Sequence, residues 1–347
     1  VFKRALSINL QVPLDADESA LKEHLKSFLQ KWRQFQAKEK KSEAKKHAQQ
    51  VSKNDPALKL VELKEGISLL HKHNPTAPTF ASQIYLHGGL SFETEHTNGI
   101  YHLISSTITK GHRDLEYLKL KEYLEGISAS LSGFSGKNAY GLNMHALSTH
   151  SKEVFEQAYL SLSAPRFTEE FFGHELTQAK RAIEMRLKDP VKQCFEKAAE
   201  VFFGKHPYAL SVLGSEKSLK LITRQSISDT HAHNVKSSKI LISYAGSDEL
   251  ETVLRDLEPM IQGLAKRSPT NKKKIAIDYQ QRDHIHLEFD REQTHIFYGV
   301  PTPEMSHPDH ISLRMISTFL SGQSSELFTK VRDEMGLCYT AQPVHFS

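Results

Sequence analysis

Apolar residues recur with two periods along the chain, and the change of period marks the predicted elements. Alternation over Val1–Pro13 predicts a strand, and apolar residues at three- and four-residue steps over Leu21–Trp32 predict an amphipathic helix. Residues 36–56 have no apolar stripe and are rich in Lys, Glu, Ala and Gln, which indicates a solvated helix or linker. The chain therefore begins with a short strand and helix followed by a spacer.

The longest part of the chain contains strand and helix patterns in groups. Strands are predicted at 59–63 and 67–71, around a Glu65-Gly66 turn, and at 80–90 and 239–245. Helical periods cover 99–109, 115–124, 153–164, 169–187, 191–202 and 249–264. Because the elements are grouped and do not alternate strictly, we expect an α+β fold of layers and not a doubly wound parallel sheet.

A second unit is predicted after Ser268-Pro269. Its expected elements are strands at 274–278, 285–289 and 295–299, a helix around 311–320 and a further strand at 344–347. We predict four segments: 1–36 as the end of a preceding α+β domain, 37–56 as a linker, 57–267 as one domain and 268–347 as the start of another. The abrupt first and last elements indicate a fragment of a longer protein.

Composition excludes several classes of protein. The 347 residues are 38% apolar and 25% charged, and no apolar run approaches the roughly 20 residues of a membrane span. The net charge of +4 is too small to favour nucleic acid, and two cysteines, Cys194 and Cys338, cannot form a disulfide framework. We expect a soluble protein whose partners include neither nucleic acid nor a membrane. Its compartment stays open between cytoplasm and periplasm.

The segment from Asn98 to Gly111 (NGIYHLISSTITKG) carries the most informative pattern. Two His at i and i+4 of a helix share a face and bind zinc, and a Glu between them acts as general base. His102 fills the first ligand position, whereas Ser105 and Ser106 occupy the positions of the base and the second ligand. The segment resembles the zinc helix of the pitrilysin/insulinase family of metallopeptidases, so we predict a degenerate site.

The third ligand of that family is a Glu on a helix about 75 residues downstream. That offset falls near Ala182 and Ile183, and the adjacent Glu184 would be turned away by about 100°. With one position of three filled, we expect no metal here and interpret His102 as a capped or core-edge histidine. The resemblance implies Zn²⁺ in the full-length protein, bound outside this segment.

The resemblance covers most of the chain from Leu58 onward. It includes the Gly-Gly turn in 86–93, the small-residue stretch 124–136 and the His-Pro-Tyr…Gly segment in 203–216. It implies repeated layered domains, each a mainly antiparallel sheet with helices packed on it, as in metallopeptidases of the processing-peptidase fold. In this scheme 57–267 is a degenerate metallopeptidase-like domain, and the domain that begins at 268 stops short after Tyr339 and would not fold alone unless Val1–Gln36 supplied its missing strand and helix.

Residues Leu327–Tyr339 (LFTKVRDEMGLCY) resemble the family's Val-Arg-…-Gly-Leu-x-Tyr element. In the family this Arg and Tyr reach from the non-zinc half to the peptide. The resemblance implies that Arg332 binds a peptide carbonyl and that Tyr339 stabilises the tetrahedral oxyanion. The alternative is a structural surface Arg and a core Tyr, with a helix that ends at Gly336.

The resemblance therefore implies the second, non-catalytic half of a long zinc endopeptidase that hydrolyses peptides in a closed chamber. Its partners would be a peptide or unfolded-protein substrate and the zinc-bearing half of the same protein, and this segment alone would be inactive. The alternative is a non-enzymatic scaffold or peptide-binding module of the same fold. An intact zinc motif upstream would favour the enzyme.

Other patterns are weaker. The histidine pairs His71/His73, His231/His233 and His284/His286 would each share a strand face, but none has a clear third ligand. We expect these histidines to be scattered and solvated. Residues 272–274 form a lysine run in an apparent interdomain loop, and 133–136 lacks the Lys-Ser/Thr of a phosphate-binding loop.

Overall fold

The computed structural model describes residues 58–265, 285–290 and 292–345, the backbone of 11–13, and the exposed helical residues Glu23 and Ser27. The chain divides into two compact units. The first comprises 51–186 and 205–278, and the second comprises 1–50, 187–204 and 279–347. The sequence predicts one continuous domain over 57–267, whereas the contacts place 187–204 in the second unit. The predicted linker 37–56 and lysine run 272–274 lie outside the described residues.

The described elements are numbered along the chain. The strands are β1 (Gln11–Pro13), β2 (Leu58–Lys64), β3 (Ile67–His73), β4 (Thr79–His87), β5 (Ser130–Ser135), β6 (Ala139–Leu147), β7 (Ile240–Gly246) and β8 (Gln293–His295). The helices are α1 (Ile100–Thr107), α2 (Tyr117–Gly126), α3 (Ser151–Ser163), α4 (Glu169–Leu187), α5 (Pro190–Phe203), α6 (Glu216–Leu219), α7 (Arg224–Ser237), α8 (Leu250–Gly263) and α9 (His310–Phe319), followed by a π-helix at Leu327–Glu334.

A six-stranded sheet forms the centre of the first unit. Its spatial order is β2-β3-β7-β4-β6-β5, in which β3 and β7 are parallel and all other neighbours are antiparallel. The parallel pair arises because β7 returns late in the chain and inserts between β3 and β4. The expected α+β fold with a mainly antiparallel sheet is confirmed.

One face of this sheet carries the core. Alternate residues of the central strands are buried against the helices, including Ile67, Leu69, Phe80, Ile84, Leu142, Ile242 and Tyr244. Helix α1 packs on β5 and β6, and α3 packs on β6 and α8. Leu103 and Ile104 of α1 are fully buried, and each contributes about 1.5–3 kcal/mol by leaving water. The core thus holds α1 by its apolar face.

A glycine lets α1 approach the sheet closely. A Cβ built on Gly133 of β5 would lie 1.9 Å from the carbonyl oxygen of Ser105 and 3.0 Å from Ile108. Such a distance is far below van der Waals contact, so a larger residue would force the helix and the strand apart. The small-residue stretch in the sequence therefore has a packing role at this position.

The second unit contains a short ladder formed by distant segments. β1 pairs antiparallel with β8, with Gln11 opposite His295 and Pro13 opposite Gln293. Phe195 of α5 packs edge-on against Phe297, with ring centroids 4.9 Å apart. The strand predicted at the start of the chain is confirmed at 11–13, where it supplies a strand to this unit.

Three strand predictions in this unit are wrong or shifted. Residues 285–289 and 344–345 are not in strands, and the strand predicted at 295–299 is instead β8, which ends at His295. Alternation predicts only a propensity, since a strand also needs a neighbouring backbone with which to pair. The strand predicted at 274–278 lies outside the described residues.

Among the described helices, none has both the length and the apolar character required to cross a membrane.

Candidate functional site

A buried carboxylate fixes the start of α1. Glu93 is only 4% exposed and accepts hydrogen bonds from the Asn98 side chain (2.8 Å) and from the backbone N–H groups of Gly99 (2.9 Å) and Tyr101 (3.1 Å). Burial raises the pKa of Glu93, and these donors oppose that rise. A carboxylate at a helix N-terminus satisfies free N–H groups and complements the helix dipole. The helix is therefore held at its first turn.

The two serines of the degenerate motif bond to their own helix. The hydroxyl of Ser105 donates to the carbonyl oxygen of His102 at 2.9 Å, and that of Ser106 donates to Leu103 at 3.1 Å. Such bonds back to the preceding turn are common for serine in helices. Neither side chain offers a carboxylate or an imidazole at the position where the family pattern has one.

His102 lies partly buried, near a carboxylate that the sequence spacing missed. Burial lowers the pKa of His102, and the charge of Glu175 on α4 opposes that change. Glu175 pairs with Lys110 at 3.4 Å. Glu184, which the sequence analysis expected to be turned away, is exposed to solvent. The spacing along the chain did not identify Glu175, because the carboxylate that influences the pKa of His102 depends on how α4 packs.

These residues do not fit a zinc ion. Zinc sites use Cys, His and carboxylate ligands, usually in a tetrahedral set of four. Here one imidazole lies near a carboxylate already paired with Lys110, and both serine hydroxyls donate to backbone. Within the described part of the chain, no group of three or more His, Cys, Asp or Glu side chains could hold a metal.

The prediction that the paired histidines are solvated is wrong for His71. It is 1% exposed, stacks on Tyr244 with ring centroids 5.3 Å apart, and contacts the carbonyl oxygen of Asp248 through Nε2 at 3.0 Å. Its neighbour His73 is half-buried. Alternate residues of a half-buried strand face the core. The alternation that placed His71 and His73 on one strand face therefore also indicates which residues face the core, and this signal was available in the sequence.

His231 is likewise a core residue, contrary to the prediction. Its Nε2 donates to the carbonyl oxygen of Leu162 at 2.7 Å, and its Nδ1 accepts from the hydroxyl of Tyr140 at 3.2 Å. Burial lowers its pKa to about 4, so the ring is neutral at pH 7. His233 and His286 are exposed as expected, and His284 lies outside the described residues.

Arg332 and Tyr339 lie together in the second unit. The Arg332 guanidinium carbon is 4.4 Å from the ring centroid of Phe328 and 4.9 Å from that of Tyr339. Tyr339 is 74% exposed, which contradicts the alternative of a core tyrosine. Gly336, at φ +61°, turns the chain back after the π-helix, so the seven-residue spacing brings the two side chains into contact.

Cys338 lies buried beside this pair. Burial raises the pKa of the Cys338 thiol, and the positive charge of Arg332 opposes that change. The residue packs with Ala341 and Leu327, as expected for a cysteine that fills space. It therefore supports the turn that carries Tyr339 and has the environment of an unreactive thiol.

Two models of one peptidase family match this chain. Residues 68–216 match the model of the insulinase family (peptidase family M16), and residues 221–346 match the model described as the peptidase M16 inactive domain. The chain belongs to the M16 peptidase family. The degenerate α1 lies within the first match, and the Arg332–Tyr339 pair lies within the second.

Individual M16 relatives are distant in sequence. A protein of Bacillus subtilis named as an uncharacterized zinc protease is 23% identical over 299 residues, which cover 84% of this chain and 70% of that protein. The probable mitochondrial-processing peptidase subunit beta of Schizosaccharomyces pombe is 21% identical, over 76% of this chain and 59% of its own length. This M16 chain thus corresponds to part of each relative.

Solved structures share the fold. A peptidase M16 inactive domain from Pseudomonas fluorescens superposes with a TM-score of 0.71 at 18% identity, covering 81% of this chain and 69% of that chain. A protease from Helicobacter pylori gives a TM-score of 0.72 at 14% identity, over 83% and 71%. At this identity the likeness concerns the M16 fold alone.

Proposed function

We propose that this chain supplies the peptide-binding, non-zinc part of an M16 zinc endopeptidase. The observation that carries the proposal is the contact of Arg332 with the exposed ring of Tyr339. An adjacent guanidinium and phenol can act on the same stretch of peptide. The serines on α1 support the assignment of zinc to another half of the full-length protein.

Each side chain has a distinct task in this proposal. The Arg332 guanidinium donates to a peptide carbonyl and holds the substrate backbone. The Tyr339 hydroxyl donates to the oxygen on which negative charge develops in the tetrahedral intermediate. A donor that is already in position when this charge develops stabilises the transition state more than it stabilises the bound peptide.

Peptide-cleavage kinetics of the full-length protein test the proposal. Losing one oxyanion donor costs about 10²–10³-fold in rate, so Tyr339→Phe should lower kcat by this order while leaving zinc content and KM nearly unchanged. Arg332→Ala should also raise KM. The control variants Ser105→Ala and Ser106→Ala should retain activity. Full activity of Tyr339→Phe together with loss in the serine variants would overturn the assignment.

The degenerate motif favours a second candidate, a non-enzymatic peptide-binding module of the same fold. In that case the full-length protein would bind peptides in a manner that depends on Arg332, but would cleave none. Peptide affinity measured by fluorescence anisotropy, beside the cleavage assay, distinguishes the two functions.

A further inference from the structure

Phe328 lies one turn before Arg332 on the same π-helix and contacts this proposed substrate-binding residue. Its ring centroid lies 4.4 Å from the Arg332 guanidinium carbon, closer than the Tyr339 ring at 4.9 Å. Residues four apart on a helix lie on the same face, so this contact is built into the local backbone. π-helical turns are rare and recur at functional sites.

The contact leaves the hydrogen-bonding capacity of Arg332 unused. No carboxylate or carbonyl within the described residues accepts from its guanidinium, which instead lies against the aromatic faces of Phe328 and Tyr339. An aromatic face attracts the cation without occupying any of its five N–H donors in a carbonyl or carboxylate hydrogen bond. The side chain is therefore oriented while its donors remain available to a peptide.

We propose that Phe328 is a positioning residue that holds the Arg332 guanidinium ready for the peptide backbone, and this inference rests on the proposed function. A free arginine side chain loses rotamer freedom when it binds, and this loss weakens the binding. A ring that orders the side chain beforehand removes part of that loss. Phe328 need not touch the substrate to have this effect.

The expected effect falls on substrate affinity. A cation–π contact at an exposed site is worth about two- to fivefold in an equilibrium constant. In the full-length protein, Phe328→Leu should therefore raise KM for a fluorogenic peptide about two- to fivefold and leave kcat nearly unchanged. Phe328→Tyr retains an aromatic face and should restore KM. Phe319→Leu, the same change at an exposed phenylalanine of α9, serves as the matched control.

A double-mutant cycle separates positioning from a general structural role. In the Arg332→Ala background, Phe328→Leu should have no further effect on KM, because the side chain that it orients is gone. An equal loss in both backgrounds, or a loss that Phe328→Tyr does not rescue, would overturn the inference. So would an unchanged KM in Phe328→Leu.

The same measurements separate this inference from the proposed function. If Arg332→Ala raises KM but Phe328→Leu does not, the positioning role is wrong and the proposed function stands. If neither Arg332→Ala nor Tyr339→Phe changes peptide cleavage, the proposed function itself is wrong. Thermal unfolding of every variant identifies any change caused by misfolding.

Discussion

The hydroxyl of Ser105 donates to the carbonyl oxygen of His102 over 2.9 Å, within one turn of α1. In the family pattern these two positions hold the general base and the first zinc ligand. Here the hydroxyl bonds to the backbone. Burial lowers the pKa of the His102 imidazole, which makes it less basic than usual. The helix is retained as a packing element through its apolar face.

We therefore predict that the 347-residue chain binds no stoichiometric zinc at His102. The residues around it supply one free imidazole, whereas stable zinc sites require about three or four ligands. Metal analysis after dialysis, on the chain and on His102→Ala, should give the same zinc content. One zinc per chain that disappears in His102→Ala would contradict this prediction.

A second prediction concerns two glycines with opposite surroundings. Gly133→Ala should destabilise the first unit by about 1–3 kcal/mol, because the new Cβ would meet the Ser105 carbonyl oxygen at 1.9 Å. Gly173 lies inside α4, where a Cβ in place of its hydrogen would meet no heavy atom within 4 Å apart from the adjacent backbone of the helix itself. Gly173→Ala should stabilise the helix by about 0.5–1 kcal/mol.

Urea unfolding of both variants measures whether each substitution raises or lowers the free energy of unfolding. Both variants add the same methyl group, so the added apolar surface by itself does not explain a difference in sign. Equal effects of Gly133→Ala and Gly173→Ala on the free energy of unfolding would show that α1 can move away from β5 at little cost.

A third prediction follows from His231. Its pKa is lowered from 6.5 to about 4 in the folded state, so between these values the unfolded chain binds more protons. The stability linked to the neutral ring is present above pH 6.5 and is lost as the pH falls towards 4. The full shift in the pKa of His231 corresponds to about 3 kcal/mol in the free energy of unfolding.

His233 provides the control, because it lies on the same helix and is exposed. His231→Gln should flatten the dependence of the unfolding free energy on pH between about 7 and 4, whereas His233→Gln should leave it unchanged. His231→Gln will also lower stability at neutral pH, since it alters the bonds to Leu162 and Tyr140. If the pH dependence of the unfolding free energy were unaltered in His231→Gln, groups other than His231 would be responsible for it.

Local patterns in the sequence determined much of this protein. The hairpin around Gly66, the helical period of α4 and the apolar stripe of α1 depend on neighbours within a few residues, and each appears in the structure as expected. The order of motifs also indicated the M16 family, because the motif residues occur in family order. The presence of Ser105 and Ser106 in place of a zinc motif's Glu and His is visible without coordinates.

Only the tertiary structure decided which distant residues meet. The carboxylate whose charge influences the pKa of His102 is Glu175, which the spacing along the chain did not indicate. β1 pairs with β8, which lies near the other end of the chain, and β7 inserts beside β3. His231 lies in the core, where both of its ring nitrogens find partners that no spacing reveals. Long-range pairing depends on the whole chain, and for that reason local periodicity could not predict it.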